Sequence, residues 1–350
     1  MPADATDAAR PVITIDQYKP RKLTKVKSTT ILRARFKAVE AHNHFSDRYD
    51  VAKLLATMDE CNIGVFVDLS GGCGDHLKRR LELLKEPHPE RFAVFYTPEF
   101  SQADRPDFGE TVAREIEEAS RAGVQGVKIF KSLGLSHRDA AGRLWHVNDR
   151  RFDPIWQTAG ELGLPVLIHV ADPWAFFEPL DEHNERYLVL LRNPNWHFYG
   201  GDYPRPEQLL AERDEVLARH PRTQFIGAHI GSLSHDLEAA AKLLDTYANF
   251  HVDFSARLPD IGCVPKLARW FFLKYQDRIV FGTDNRPEPA VYRDYFRLLE
   301  TDDECWEYLG FPRKGFYYMY SLDLPDEVLR KVYYANAARL IPGIKVNPGS

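Results

Sequence analysis

Eight times along this chain, a short run of β-branched and apolar residues is followed by a longer stretch with one polar helical face. The runs are 36–44, 63–69, 91–97, 124–130, 165–170, 223–229, 250–255 and 278–283. The helical stretches are 50–61, 75–86, 108–122, 151–163, 206–220, 234–247, 264–276 and 326–340. Such alternation builds parallel sheets, because each crossover helix returns the chain to the same end of the sheet. Eight repeats is the count of an α/β fold of the (β/α)8 TIM-barrel kind, expected here over residues 35–343. Local signals agree. Pro154 falls in the first turn of 151–163 and Gly163 where that helix should stop, while Asp326 and Glu327 follow Pro325 at the start of the last helix.

Residues 1–34 are polar, carry Pro2, Pro11 and Pro20, and read as an extended N-terminal arm. Two segments exceed a simple connection: 171–205 after the fifth strand and 285–325 after the eighth. Both are expected to be lid-like insertions. Lys+Arg is 46 against Asp+Glu 51, a net charge of −5, which argues against a general nucleic-acid binder. The longest apolar runs, such as 164–168 and 270–273, are far below the roughly 20 residues of a membrane span, and the first thirty residues hold no apolar core of a signal peptide. The cysteines Cys61, Cys73, Cys263 and Cys305 form no C-x-x-C pair, so reduced thiols and a cytoplasmic protein are expected.

The chemistry gathers at strand ends. His42 and His44 are two apart on the first strand and project to the same side. His169 closes "PVLIH", His229 closes "FIGAH", and Asp284 closes "RIVFGTD". Taken singly, each also reads as a hydrogen-bonded polar group at the edge of a core. Together they lie at the same ends of strands one, five, six and eight, the face where barrel enzymes place their sites. Three or four such N/O donors match an open catalytic metal site.

The order H-x-H, His, His, Asp resembles the amidohydrolase superfamily. The stretches "LPVLIHVADP" (164–173), "FIGAHIGS" (225–232), "IVFGTD" (279–284) and "YYANAARLIPG" (333–343) resemble its amidohydrolase-related branch, amidohydrolase family 2. The resemblance implies that His42, His44, His169 and Asp284 hold one divalent metal, with His229 and Asp284 as acid/base groups. Zn²⁺ suits imidazole donors, and Mn²⁺, Fe²⁺ or Co²⁺ can occupy the same ligands. Relatives usually carry Asp where this chain has Glu40, whose role stays open. Lys128 sits on the fourth strand, where binuclear relatives such as dihydroorotase carry a carboxylated lysine that bridges two metals. A second metal would then fall to His169 and His229. The other reading of Lys128 is a substrate anchor or a partner for an acid. Lys131 reads as either a solvated neighbour or a substrate contact.

A metal of this kind lowers the pKa of its bound water from 15.7 towards about 7. The first expectation is therefore a hydrolase of an amide, ester or lactone, with Asp284 taking the water's proton and His229 polarising the carbonyl. The alternative is non-oxidative decarboxylation of a (hydroxy)aromatic or unsaturated acid, with Arg286 holding the acid. A structural ion pair is the other reading of Arg286. A binding barrel without chemistry is the third possibility. Eight aromatics in 171–205, with Trp174 and Phe177 nearest His169, suit a lid over a small substrate; the alternative is that they form the loop's own core. Asp253 reads as a buttress behind the site. Cys73 lacks a histidine partner for nucleophilic work, and Gly71–Gly74 lacks phosphate-binding spacing. The expected partner is a small-molecule substrate, with no nucleic acid or membrane. A homo-oligomer is compatible with the long aromatic loops.

Overall fold

The computed structural model describes residues 12–15 and 17–345; the start of the arm, 1–11, lies outside the described residues. The eight expected strands are present: β1 Ala38–Asn43, β2 Ile63–Asp68, β3 Phe92–Val94, β4 Val127–Ile129, β5 Val166–Ile168, β6 Phe225–Gly227, β7 Phe250–Asp253 and β8 Ile279–Val280. Their runs are apolar on both faces because the strands are buried almost throughout. β1-β2-β3 form one parallel sheet and β4 to β8 another.

Hydrogen bonds join the two sheets at both seams. Tyr96 bridges Val127 in parallel, and Lys128 N donates to Tyr96 O at 2.7 Å. On the other side Ala41 N donates to Phe281 O at 2.9 Å and Asp284 N to His42 O at 2.8 Å. The result is an α/β fold with eight parallel strands in a hydrogen-bonded ring.

The helices bury periodic faces against this ring. Phe108–Arg121 turns in Phe108, Val112, Ile116 and Ala119, the spacing of one helical stripe. Val51–Cys61 starts where the Asp50 side chain accepts from Lys53 N at 3.0 Å.

The segment after β8 differs from expectation. It opens with a helix, Pro289–Glu300, which buries Tyr292, Tyr295, Phe296, Leu298 and Leu299. Only the rest is loop-like, with a two-stranded antiparallel pair of Trp306–Glu307 and Tyr318–Met319. The N-terminal arm ties to it: Lys27 pairs with Asp302, and Thr29 donates through N and Oγ1 to Asp303 at 2.6 and 2.8 Å.

The last helical stretch seals the β8–β1 seam. Its turn widens over Lys331–Ala335, and Val332 O accepts from Phe281 N at 3.0 Å. Asn336 Nδ2 donates to Ile279 O at 2.7 Å. Among the described residues, no helix is long and apolar enough to cross a membrane.

Candidate active site

Close packing of the first and last strands sets the site. A Cβ on Gly282 would lie 2.7 Å from His42 Cβ and 2.9 Å from His42 N, so only glycine lets the chain after β8 approach β1. Two residues later Asp284 turns into the left-handed region, with φ of 47°; His229, at 59°, does the same after β6. Such conformations are costly for side-chain-bearing residues and cluster at working sites. Here they aim both side chains into the ring's mouth.

The Asp284 carboxylate lies among three imidazole nitrogens. Oδ1 is 3.5 Å from His44 Nε2, and Oδ2 is 3.6 Å from His229 Nε2 and 3.9 Å from His42 Nε2. His42 Nε2 is buried without a hydrogen-bond partner. An orphaned buried nitrogen facing a carboxylate and further imidazoles fits a cation in its company. Donor atoms of His42, His44 and Asp284 lie within 4.8 Å of one another, as do those of His42, His229 and Asp253. This is a His/Asp cluster able to hold a divalent metal.

Behind it stands a supporting network. Asp253 Oδ2 accepts from His42 Nδ1 at 2.7 Å; Oδ1 accepts from His229 N at 3.0 Å and from Ser255 Oγ at 2.6 Å. His229 Nδ1 donates to Ser255 O at 2.8 Å, and His44 Nδ1 is 2.8 Å from Ser70 Oγ. Burial pushes the Asp253 carboxyl up, but His42 and the other donors more than offset this and hold it well below its usual range. Burial, then neighbouring cationic groups, keeps His44 and His229 well below the usual imidazole value, so both rings are neutral at neutral pH, the form that offers a lone pair.

The other expected site residues are placed as follows. His169 packs edge-on to His229, with ring centroids 4.6 Å apart, but its Nε2 donates to Ala171 O at 2.8 Å and it joins neither donor cluster among the described residues. Lys128 is fully buried on β4, and its Nζ lacks a hydrogen-bond partner; burial pushes its ammonium down to about 8. Lys131 pairs with Asp172 and faces the Trp196 and Phe198 rings. Trp174 packs on His235, while Phe177 is buried against Phe198. Phe176 stacks with Trp196, so much of the aromatic loop forms its own core. Arg286 is exposed. Glu40 faces the neighbouring strand, accepting from Thr283 N at 2.8 Å and Thr283 Oγ1 at 2.7 Å, and burial pushes its carboxyl up to about 8. Ser255 and Arg257 escaped sequence reasoning; the signal was the polar residues of "DFSAR" (253–257), which runs on from Asp253 at the end of β7.

A profile of the family described as Amidohydrolase matches residues 96–343, more than half of the chain. No curated protein matches in a sequence search. Similar solved structures include 2,6-dihydroxybenzoate decarboxylase complexed with 2,6-dihydroxybenzoate, at 15% identity over 87% of this chain and 98% of that one, with a TM-score of 0.56. Another is a dihydroxybenzoic acid decarboxylase from Polaromonas sp. JS666 with bound manganese and the inhibitor 2-nitroresorcinol, at 15% identity, 87% and 95% coverage and a TM-score of 0.55. A third is 2,6-dihydroxybenzoate decarboxylase from Rhizobium, at 18% identity, 87% and 97% coverage and a TM-score of 0.52. At these identities the likeness establishes a shared fold.

Proposed function

Because the chain belongs to the amidohydrolase family, we propose that it is a metal-dependent lyase that removes CO2 from a small hydroxylated aromatic acid. The observation that carries this is the Asp284 carboxylate set among His42, His44 and His229 in a fold shared with hydroxybenzoate decarboxylases. The ring of strands is then a (β/α)8 barrel with its site at the C-terminal strand ends. Decarboxylation takes precedence over the hydrolysis expected first from the sequence, because three similar structures are hydroxybenzoate decarboxylases, beside one described as a putative amidohydrolase.

His42, His44 and Asp284 would hold the ion, with Mn²⁺ favoured over Zn²⁺ by the manganese-bound relative. When bound, the ion supplies positive charge that orients substrate oxygens and stabilises negative charge building on them. The residues supply the rest. Asp253 and Ser255 fix the His42 and His229 rings from behind. The Asp284 carboxylate, with the bare His229 Nε2 beside it, relays a proton: it accepts one from the substrate's own hydroxyl and, as the bond from ring carbon to carboxylate breaks and CO2 leaves, passes it to the electron pair left on that carbon, the product oxygen regaining its proton from water. Trp174 and the aromatic loop limit water, and Lys128 anchors a substrate oxygen from the opposite side of the ring.

Hydrolysis remains the second reading, favoured by one observation: the unpartnered Lys128 amine, lowered to about 8, is suited to carboxylation and a second metal. The test is CO2 release from 2,6-dihydroxybenzoate by manganese-loaded protein, beside metal analysis of wild type and Lys128→Ala. Release of CO2 with about one metal per chain in both proteins is expected. Two metals in wild type falling in the variant, with cleavage of an amide or lactone and no CO2, would overturn it.

A further inference from the structure

Beyond the histidines and Asp284, the C-terminal strand ends carry a buried guanidinium, Arg257, that forms no ion pair among the described residues. Arg257 follows β7, and the turn before it is pinned: Ala256 adopts a φ of 53°, and its N–H meets Tyr295 Oη at 2.8 Å and Thr283 O at 3.0 Å. Arg257 is only 6% exposed. Its Nη1 donates to Ala256 O at 3.0 Å, but its Nε is buried without a partner.

Two of the acids whose charge reaches it are bonded to other cations, although Asp260 keeps its Oδ2 without a hydrogen-bond partner. Asp260 pairs with Arg186, both side chains 8% exposed, and Asp172 pairs with Lys131. The remaining carboxylate whose charge reaches Arg257 is Asp284, which is turned toward the three imidazoles. Arg257 in turn acts on His229. Filling this space with an apolar side chain would spare the cost of a buried, unpaired guanidinium. A planar donor kept here at that cost matches a planar anion in two-point contact.

We propose that Arg257 is the binding residue for the substrate's carboxylate, so that the site takes small aromatic acids and rejects their neutral counterparts. The inference rests on the decarboxylase reading and adds the group that recognises the acid. It also separates substrate from product. Decarboxylation converts an anion into a neutral phenol, and the product loses the charge that Arg257 holds. The interaction belongs to capture more than to chemistry, because its partner's charge is gone once CO2 has left.

The experiment compares binding of 2-hydroxybenzoate and of phenol, by calorimetry, to the manganese-loaded wild type, Arg257→Met and Arg257→Lys. Wild type should bind 2-hydroxybenzoate at least tenfold more tightly than phenol. Arg257→Met should lose tenfold or more for 2-hydroxybenzoate with phenol binding and metal content unchanged, and Arg257→Lys should recover part of the loss. In turnover, Arg257→Met should raise KM by at least tenfold and change kcat less. Equal weakening for both ligands, no weakening, or a wild type that does not prefer the acid would overturn the assignment. Selective acid binding that depends on Arg257, in a protein that releases no CO2 from hydroxybenzoates, would sink the decarboxylase reading and leave this site standing.

Discussion

Asp253 holds His42 by a 2.7 Å hydrogen bond from Nδ1 to Oδ2, and with its other oxygen accepts the backbone N–H of His229. One buried carboxylate therefore sets the tautomer of one imidazole and the position of another. With Nδ1 carrying the proton, His42 presents a bare Nε2 to Asp284. Asp253→Asn should reduce metal affinity by roughly 10–100-fold, the usual cost of losing a partner behind a ligand. Metal titration followed by elemental analysis checks this; unchanged affinity would remove Asp253 from the network.

Gly282→Ala places a methyl against the backbone of His42, at 2.9 Å from its nitrogen. Backbone on the neighbouring strand cannot swing aside as a side chain can. A loss of about 1–3 kcal/mol is expected, as for overpacking of a core, together with weaker metal binding. Denaturant unfolding gives the first and metal titration the second. A variant with wild-type values for both would mean the seam between the first and last strands is looser than described.

Lys128→Met should stabilise the fold while impairing turnover. The ammonium is fully buried with no hydrogen-bond partner, and its lowered pKa of about 8 records what burial costs. Removing that cost should gain about 1–3 kcal/mol at pH 7. A destabilised variant would show that Lys128 is matched by a partner in solution.

Asp294 provides a pH test away from the site. Burial pushes its carboxyl up to about 6, although Leu309 N donates to it at 2.6 Å. The folded protein therefore holds this proton more tightly than the unfolded chain, whose value is about 3.9. Its contribution to stability is fullest below pH 4 and is lost as the pH rises through 6. Asp294→Asn should be more stable than wild type by about 1–2 kcal/mol at pH 7 to 8, discounted for partial exposure. The difference should vanish near pH 4. Melting curves across that range decide it, and a gap that does not depend on pH would reject the assignment.

Chelation should lower Tm and abolish turnover, and added Mn²⁺ should restore both. An ion at about 100 times its Kd stabilises a fold by about 2.7 kcal/mol. His42→Ala should show no such response. A Tm indifferent to chelator in wild type would argue against a bound ion.

The strands were legible because parallel strands buried on both faces read as continuous apolar runs, and His42, His44, His229 and Asp284 were visible as polar endings to such runs. The helix Pro289–Glu300 was missed, although Tyr292, Tyr295, Phe296 and Leu299 carry helical spacing. Its charged residues, Arg293, Asp294 and Arg297, and the proline at its start made it look like loop. His169 was legible as a strand ending, but the turn of its Nε2 toward Ala171 O depends on a local backbone path that periodicity does not report. Arg257 was invisible for a related reason: being buried without an ion pair is a property of its surroundings, not of its neighbours in sequence.

The seam between β1 and β8 has a consequence for how the chain matures. His42 and Asp284 are separated by most of the polypeptide, and they meet only when the last strand lays itself beside the first, where Asp284 N reaches His42 O. Contacts so distant in sequence form late. A nascent chain still lacking its eighth strand would own His42 and His44 without their carboxylate, and would hold metal weakly if at all. Uptake of an ion by this cluster would thus report that the first and last strands have met.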